Sequence, residues 1–289
     1  MDYLLHVIVM TALFGTLASS LNLLAGYTGM LALAHGAFFG IGAYTAAVLL
    51  TRSGVSFILV LWIAAFTAAV LSTGLSLPSL RVRDDYFAIT SFAIQMVFFG
   101  LFNNWIELTG GPLGIAGIPR PTIFGWRIDA QIDFVVISIC ILALSVVLVS
   151  RLVHSPFGRV LRAIREDEVV TQSLGKNVAY FKMTACAMSA AMAGCAGAVY
   201  APFVTFIDPT GFTVNESILV LSMVILGGAG TLRGPLLGAL ILVALPELLR
   251  FVGLPSAIAA NLRQVFYGSA LILMVLFRPG GIVGERPVQ

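Results

Sequence analysis

Charge is scarce in this chain. Its 289 residues include 16 Lys and Arg and 13 Asp and Glu, 10% charged in all, where a soluble domain carries about 25%. So few ionised groups cannot hydrate the surface of a 30.6 kDa globule. A soluble enzyme and a disordered chain are excluded together. The net charge of +3 offers no field for a polyanion, which excludes a nucleic-acid partner.

Cysteine and histidine are also few. Cys140, Cys186 and Cys195 are odd in number and sit in apolar runs, so neither a disulfide framework nor a zinc site is expected. His6, His35 and His154 are scattered and form no H-E-x-x-H pattern. Gly175-Lys176 is followed by Asn177, where a phosphate-binding loop needs Ser or Thr. The Gly40-Ile-Gly42 and Gly228-Ala-Gly230 runs lack a third glycine in register. No G-x-S-x-G is present, and no two carboxylates fall within one apolar run. The expectation is a protein that is no enzyme, holds no nucleotide site of its own and needs no cofactor or metal.

Apolar sequence is what the chain has: 59% hydrophobic residues and a mean hydropathy of +1.02. A helix crosses the hydrocarbon core with about 20 apolar residues. Candidate spans are 3–24, 30–50, 57–78, 86–102, 131–150, 182–206, 217–232, 235–250 and 262–277. The predicted fold class is all-α, a polytopic transmembrane bundle of about 8–10 spans, forming one domain over 1–289. The second and seventh runs are rich in glycine and are predicted to be broken. Met1-Asp2-Tyr3 offers no basic n-region, so the first run is expected to be a retained helix.

Basic residues orient the spans. Arg151, Arg159, Arg162, Arg165, Lys176 and Lys182 crowd the stretch 151–182, which is assigned to the cytoplasm. Alternation then places Arg81, Arg83, Arg233, Arg278 and Arg286 on that face and Arg52, Arg120, Arg127, Arg250 and Arg263 on the other. The N-terminus is expected outside and the C-terminus inside.

In lipid, helices associate through close packing, so small residues mark their seams. Ser189, Ala193 and Gly197 form one stripe of the run 182–206; Ala190, Gly194 and Ala198 form the next. Polar residues at membrane depth are costly and often functional. Asn22, His35 and Gln95 stand out on that ground. They either line a translocation path or bond one helix to another. A proton-coupled pump needs a relay of acids, which these spans lack. That disfavours a stand-alone secondary carrier and points to energy supplied from outside the chain.

The stretch from Ser155 to Gly175 has helical signals of its own. Ser155-Pro156 suits an N-cap followed by the first helical position. Val160, Leu161 and Ile164 form a stripe between Arg159, Arg162 and Arg165; Val169, Val170 and Leu174 extend a second apolar face, and Gly175 suits a C-terminal stop. One or two short amphipathic helices are predicted. They either lie on anionic lipid or dock into a groove of a soluble protein. The acids Glu166, Asp167 and Glu168 favour docking, because they repel an anionic surface.

Four stretches carry a family resemblance. They are Gly26-Tyr27-Thr28-Gly29-Met30 with His35-Gly36-Ala37-Phe38-Phe39-Gly40; Arg81-Val82-Arg83-Asp84-Asp85-Tyr86-Phe87-Ala88-Ile89; Thr109-Gly110-Gly111-Pro112-Leu113-Gly114 after Asn104-Trp105; and Ser155–Gly175 with Leu226-Gly227-Gly228-Ala229-Gly230-Thr231-Leu232-Arg233-Gly234-Pro235. Together they resemble the LivM-type permease subunit of branched-chain amino acid ABC importers. Asp84 stands where the family usually shows Gly, and Glu168-Val169-Val170 replaces a Glu-Ala-Ala core.

The resemblance implies a permease for leucine, isoleucine and valine in a bacterial inner membrane, working by alternating access. It implies a second, LivH-like permease as partner, two cytoplasmic ABC ATPase subunits and an external substrate-binding protein. It also implies that the loop at 151–182 seats the chain on the ATPases through Arg159, Arg162, Ile164, Arg165, Glu166, Glu168 and Gly175. The alternative cargo is urea, a short amide or another amino acid.

Overall fold

Away from water an unpaired backbone group costs several kcal/mol, and a helix pairs all of its interior groups within one segment. The apolar runs accordingly become helices. The computed structural model describes residues 2–79, 84–123, 126–251, 268–269 and 280–283. Its long helices are α1 (Asp2–Ala25), α2 (His35–Arg52), α3 (Phe57–Ser79) and α4 (Asp84–Asn104). After the single turn α5 (Ile106–Thr109) comes α6 (Gln131–His154), then two short helices, α7 (Pro156–Glu166) and α8 (Glu168–Ser173). The bundle continues with α9 (Val178–Val204), α10 (Val214–Gly227) and α11 (Gly234–Phe251).

Eight of the nine predicted spans are therefore helical, and six are long and apolar enough to cross a membrane. The chain is an all-α, multi-pass membrane protein. The ninth run lies outside the described residues except at 268–269, as do Arg81, Arg83, Arg263, Arg278 and Arg286.

The glycine-rich breaks fall where expected. Helix α1 stops at Ala25, and helix resumes only at His35. Residues 26–34 between them are non-helical and mostly buried. A second non-helical stretch, 228–233, separates α10 from α11. Non-helical backbone at such depth is tolerated only against protein or a cavity.

Helix α9 is the hub, packed against α1, α2 and α3. Both small-residue stripes are used. Gly194 faces Ala64 and Ala68 of α3 and lies under Gly42 of α2, while Gly197 faces the Phe39 carbonyl. A side chain at Gly197 would overlap the backbone of α2 at Phe39 and Ala43. Gly197→Leu is therefore expected to cost about 1–3 kcal/mol, the usual range for overpacking. Thermal unfolding in detergent checks this. Gly74→Ala is the control, since nothing lies near that position and alanine suits a helix interior better than glycine, so its melting temperature should not fall.

The connections sort to two ends, as alternation requires. At one end Ile115–Ala116 pairs antiparallel with Phe206–Ile207, Ile118 N–H donates to the Thr205 carbonyl over 3.1 Å, and Arg52 donates to the Glu107 carbonyl. At the other end α7, α8 and both unwound stretches gather. Ile282 and Val283 join them, their N–H groups donating to the carbonyls of Leu226 and Gly227 over 3.0 and 3.1 Å.

Candidate functional site

The first four N–H groups of a helix have no partner within it. Helix α2 begins inside the bundle, where water cannot satisfy them. Side chains from two other helices do so. Gln95 of α4 accepts the Ala37 N–H at Oε1 over 2.7 Å and donates from Nε2 to the Phe212 carbonyl over 2.7 Å. Ser217 of α10 accepts the Gly36 N–H over 2.8 Å and donates to Gln95 Oε1 over 3.2 Å. One amide thus ties the start of α2 to α4, to α10 and to the turn that precedes α10.

His35, the first residue of α2, sits at a three-helix junction. Its Nε2 lies 3.2 Å from Ser20 Oγ of α1 and 3.0 Å from Ser189 Oγ of α9. Each serine spends its only proton on a carbonyl: Ser20 on Leu17 over 2.8 Å, Ser189 on Ser20 over 2.6 Å. Both hydroxyls therefore offer only lone pairs to the ring, and Nε2 must carry the hydrogen.

Asn22, in the last turns of α1, ties that helix to the unwound stretch 228–233. Its Nδ2 donates to the Thr231 carbonyl over 2.8 Å. Its Oδ1 accepts the Gly230 N–H over 2.8 Å. Asn22, His35 and Gln95 are 1%, 0% and 0% exposed. All three join helices or breaks that are far apart in sequence, which is the helix-bonding alternative posed for them.

The short helices α7 and α8 follow the local signals closely. Ser155 occupies the N-cap of α7 and Pro156 its first position. The Ser155 hydroxyl, however, donates back to the Leu152 carbonyl over 2.6 Å instead of capping. Asp167 caps α8 by accepting the Val170 N–H at 2.9 Å. Gly175 takes φ +77° just past the end of α8, a left-handed turn that favours glycine. Asn177 caps α9 through the Tyr180 N–H at 3.2 Å.

The two apolar faces have different fates. Leu161 and Ile164 of α7 are 0% and 1% exposed, so that stripe holds α7 to its own bundle. Val169, Val170 and Leu174 are 71%, 54% and 74% exposed and face away from it. Arg159 and Glu166 of α7 are exposed as well. Arg162, also exposed, donates to the Val153 carbonyl over 3.1 Å. Glu168 pairs with Lys182 of α9 at 2.7 Å, with the lysine side chain only 3% exposed.

Arg165 reaches furthest. Its Cβ and Cγ lie over Gly29, its guanidinium donates to the Gly26 carbonyl, and Nη1 lies beside Gly230. Two predicted residue sets, the loop and the polar positions within the spans, thus meet around Gly26 and Gly230. Sequence reasoning singled out neither Ser20 nor Ser217, nor the contacts made by Gly26 and Gly230. Ser217 had one usable signal, a hydroxyl at the head of an apolar run.

Comparisons with known proteins agree with one another. Residues 3–276 match the family described as branched-chain amino acid transport system, permease component. The chain is 35% identical to the high-affinity branched-chain amino acid transport system permease protein LivM of Escherichia coli K12, over 95% of this chain and 68% of that one. It is 28% identical to the probable LivM of Methanocaldococcus jannaschii over 80% of this chain and 69% of the relative. It is also 28% identical to LivH of Salmonella typhimurium, over 95% and 94%. No solved structure matches.

Proposed function

Because this chain belongs to the branched-chain amino acid permease family, as a LivM-type member, we propose that it forms the membrane path of an ABC importer for leucine, isoleucine and valine. Its partners are a second, LivH-like permease, two cytoplasmic ATPase subunits and an external binding protein. Transport runs by alternating access. Asn22, His35 and Gln95 hold the closed arrangement of the path, and their bonds exchange when the helices part. The energy comes from the ATPases.

The observation that carries the reading is the exposed apolar face of α8. Val169, Val170 and Leu174 are exposed, on a short helix braced to the bundle by the Glu168–Lys182 pair. A monomer gains nothing by exposing them, and a groove on a soluble partner would cover them. Arg159 and Glu166 add exposed charge on α7, while Arg162, Ile164, Arg165 and Glu168 hold the two short helices to the bundle.

The test uses the whole complex. Solubilised in detergent, the chain is expected to bring down the second permease and the ATPase subunits. Reconstituted with the binding protein and ATP, it should accumulate labelled leucine and leave labelled urea outside. Uptake of urea in place of leucine would replace the cargo. Leucine flux through the isolated chain, without ATP or partners, would overturn the mechanism.

A further inference from the structure

A force applied to α7 and α8 must reach the helices that bound the path. Where one side chain carries it depends on what touches both. Three contacts converge on Arg165. Its stem packs on Gly29 and its guanidinium bonds the Gly26 carbonyl, both in the unwound stretch after α1. Nη1 lies beside Gly230, in the unwound stretch between α10 and α11. Gly230 is in turn bonded to Asn22, whose other amide atom holds Thr231. Gly29 and Gly230 take φ +81° and +83°, so both stretches are turned where a longer residue is disfavoured and the arginine has room to pass.

We infer that Arg165 is a positioning residue that transmits the motion of α7 to both breaks at once. This rests on reading α7 and α8 as the helices that meet the ATPases. It assigns Arg165 a different part from Arg159 and Glu166, which are exposed on α7. The planar guanidinium can bond one stretch while lying against the other; a lysine's single ammonium group lacks that fork. Through Gly26 the push reaches α1 and the start of α2, where Gln95 and His35 sit. Through Gly230 it reaches the turn between α10 and α11. Asn22 ties the end of α1 to that same stretch, so a push on Gly230 is also felt by α1.

The test compares Arg165→Gln and Arg165→Lys in the complete complex reconstituted in proteoliposomes. Three quantities are read: recovery of the ATPase subunits, leucine uptake, and stimulation of ATP hydrolysis by the loaded binding protein. Backbone hydrogen exchange over 26–34 and 228–233 is the fourth. Both variants are expected to recover the ATPases in full. Both should lose at least tenfold in uptake, lose the stimulation, and exchange faster in both stretches. Wild-type uptake with unchanged exchange in either variant overturns the proposal. So does loss of ATPase recovery in Arg165→Gln that Arg165→Lys restores together with uptake, because Arg165 would then be a charge for docking. If the unaltered complex itself recovers no ATPase, the docking reading fails instead. Should Arg165→Gln not fold, Arg165→Lys carries the same readings alone.

Discussion

Val170→Asp combined with Leu174→Asp is expected to abolish both recovery of the ATPase subunits and leucine uptake. The two side chains are 54% and 74% exposed, so the permease has little to lose by their replacement. Its melting temperature should hold. In the complex each would bury its apolar surface, which stabilises association by about 1.5–3 kcal/mol per side chain. A carboxylate at the same place removes that gain and adds the cost of desolvating an ion, several kcal/mol more. Two such changes together exceed about 6 kcal/mol, and every 1.4 kcal/mol is about tenfold in affinity. The association constant should fall by roughly ten-thousandfold or more. Size-exclusion of the solubilised complex reads this directly. Full recovery of the ATPases with the doubly substituted chain would remove α8 from the interface.

The second large effect belongs to Asn22→Leu. Asn22 is 1% exposed, and leucine has as many side-chain heavy atoms and a larger volume, so the change opens no cavity. What it leaves is the Gly230 N–H and the Thr231 carbonyl without the partner each has now. A buried group stripped of its partner costs about 1–3 kcal/mol, so the pair costs roughly 2–6 kcal/mol. The stretch 228–233 would lose its side-chain tie to α1. Uptake should fall at least tenfold, with a lower melting temperature in detergent. Ser19→Ala, one turn away, provides the contrast. The Ser19 hydroxyl is buried without a hydrogen-bond partner among the described residues, so removing it should leave both readings near wild type. Equal losses in the two variants would mean that any polar change in this region disturbs packing, and the bridge would have no special part.

Much of this architecture was legible in the residues, for identifiable reasons. A span is a local feature: about 20 apolar positions in a row declare it. Glycine clusters declare breaks in the same local way, as at 26–34 and 228–233. The loop helices announced themselves through Ser155-Pro156 and Gly175, and α7 begins and α8 stops at those signals. Which face of the loop would be covered was not legible. Leu161 with Ile164 and Val169 with Val170 look alike in sequence, yet one pair is buried by the chain's own bundle and the other is exposed. Long-range polar contacts were hidden for a related reason. Asn22 meets Gly230, His35 meets Ser189 and Gln95 meets Phe212. Backbone atoms serve as partner in two of the three, and a backbone atom leaves no mark on residue type. The residues could therefore nominate Asn22, His35 and Gln95 as unusual, but could not say to what they bond.

The length of α9 has a consequence for the lipid around it. Its 27 residues extend about 40 Å at 1.5 Å per residue, against a hydrocarbon slab of about 30 Å. The surplus must be absorbed by tilting or by projecting beyond the acyl chains. Tyr180 and the paired Lys182 mark the first turns as the end suited to project, since the opposite end is clamped by the strand pair at Phe206–Ile207. Helix α8, joined to that end by the Glu168–Lys182 pair, shares whatever shift the end makes. Bilayer thickness, set by acyl-chain length, thereby becomes a dial on the pose of this shoulder.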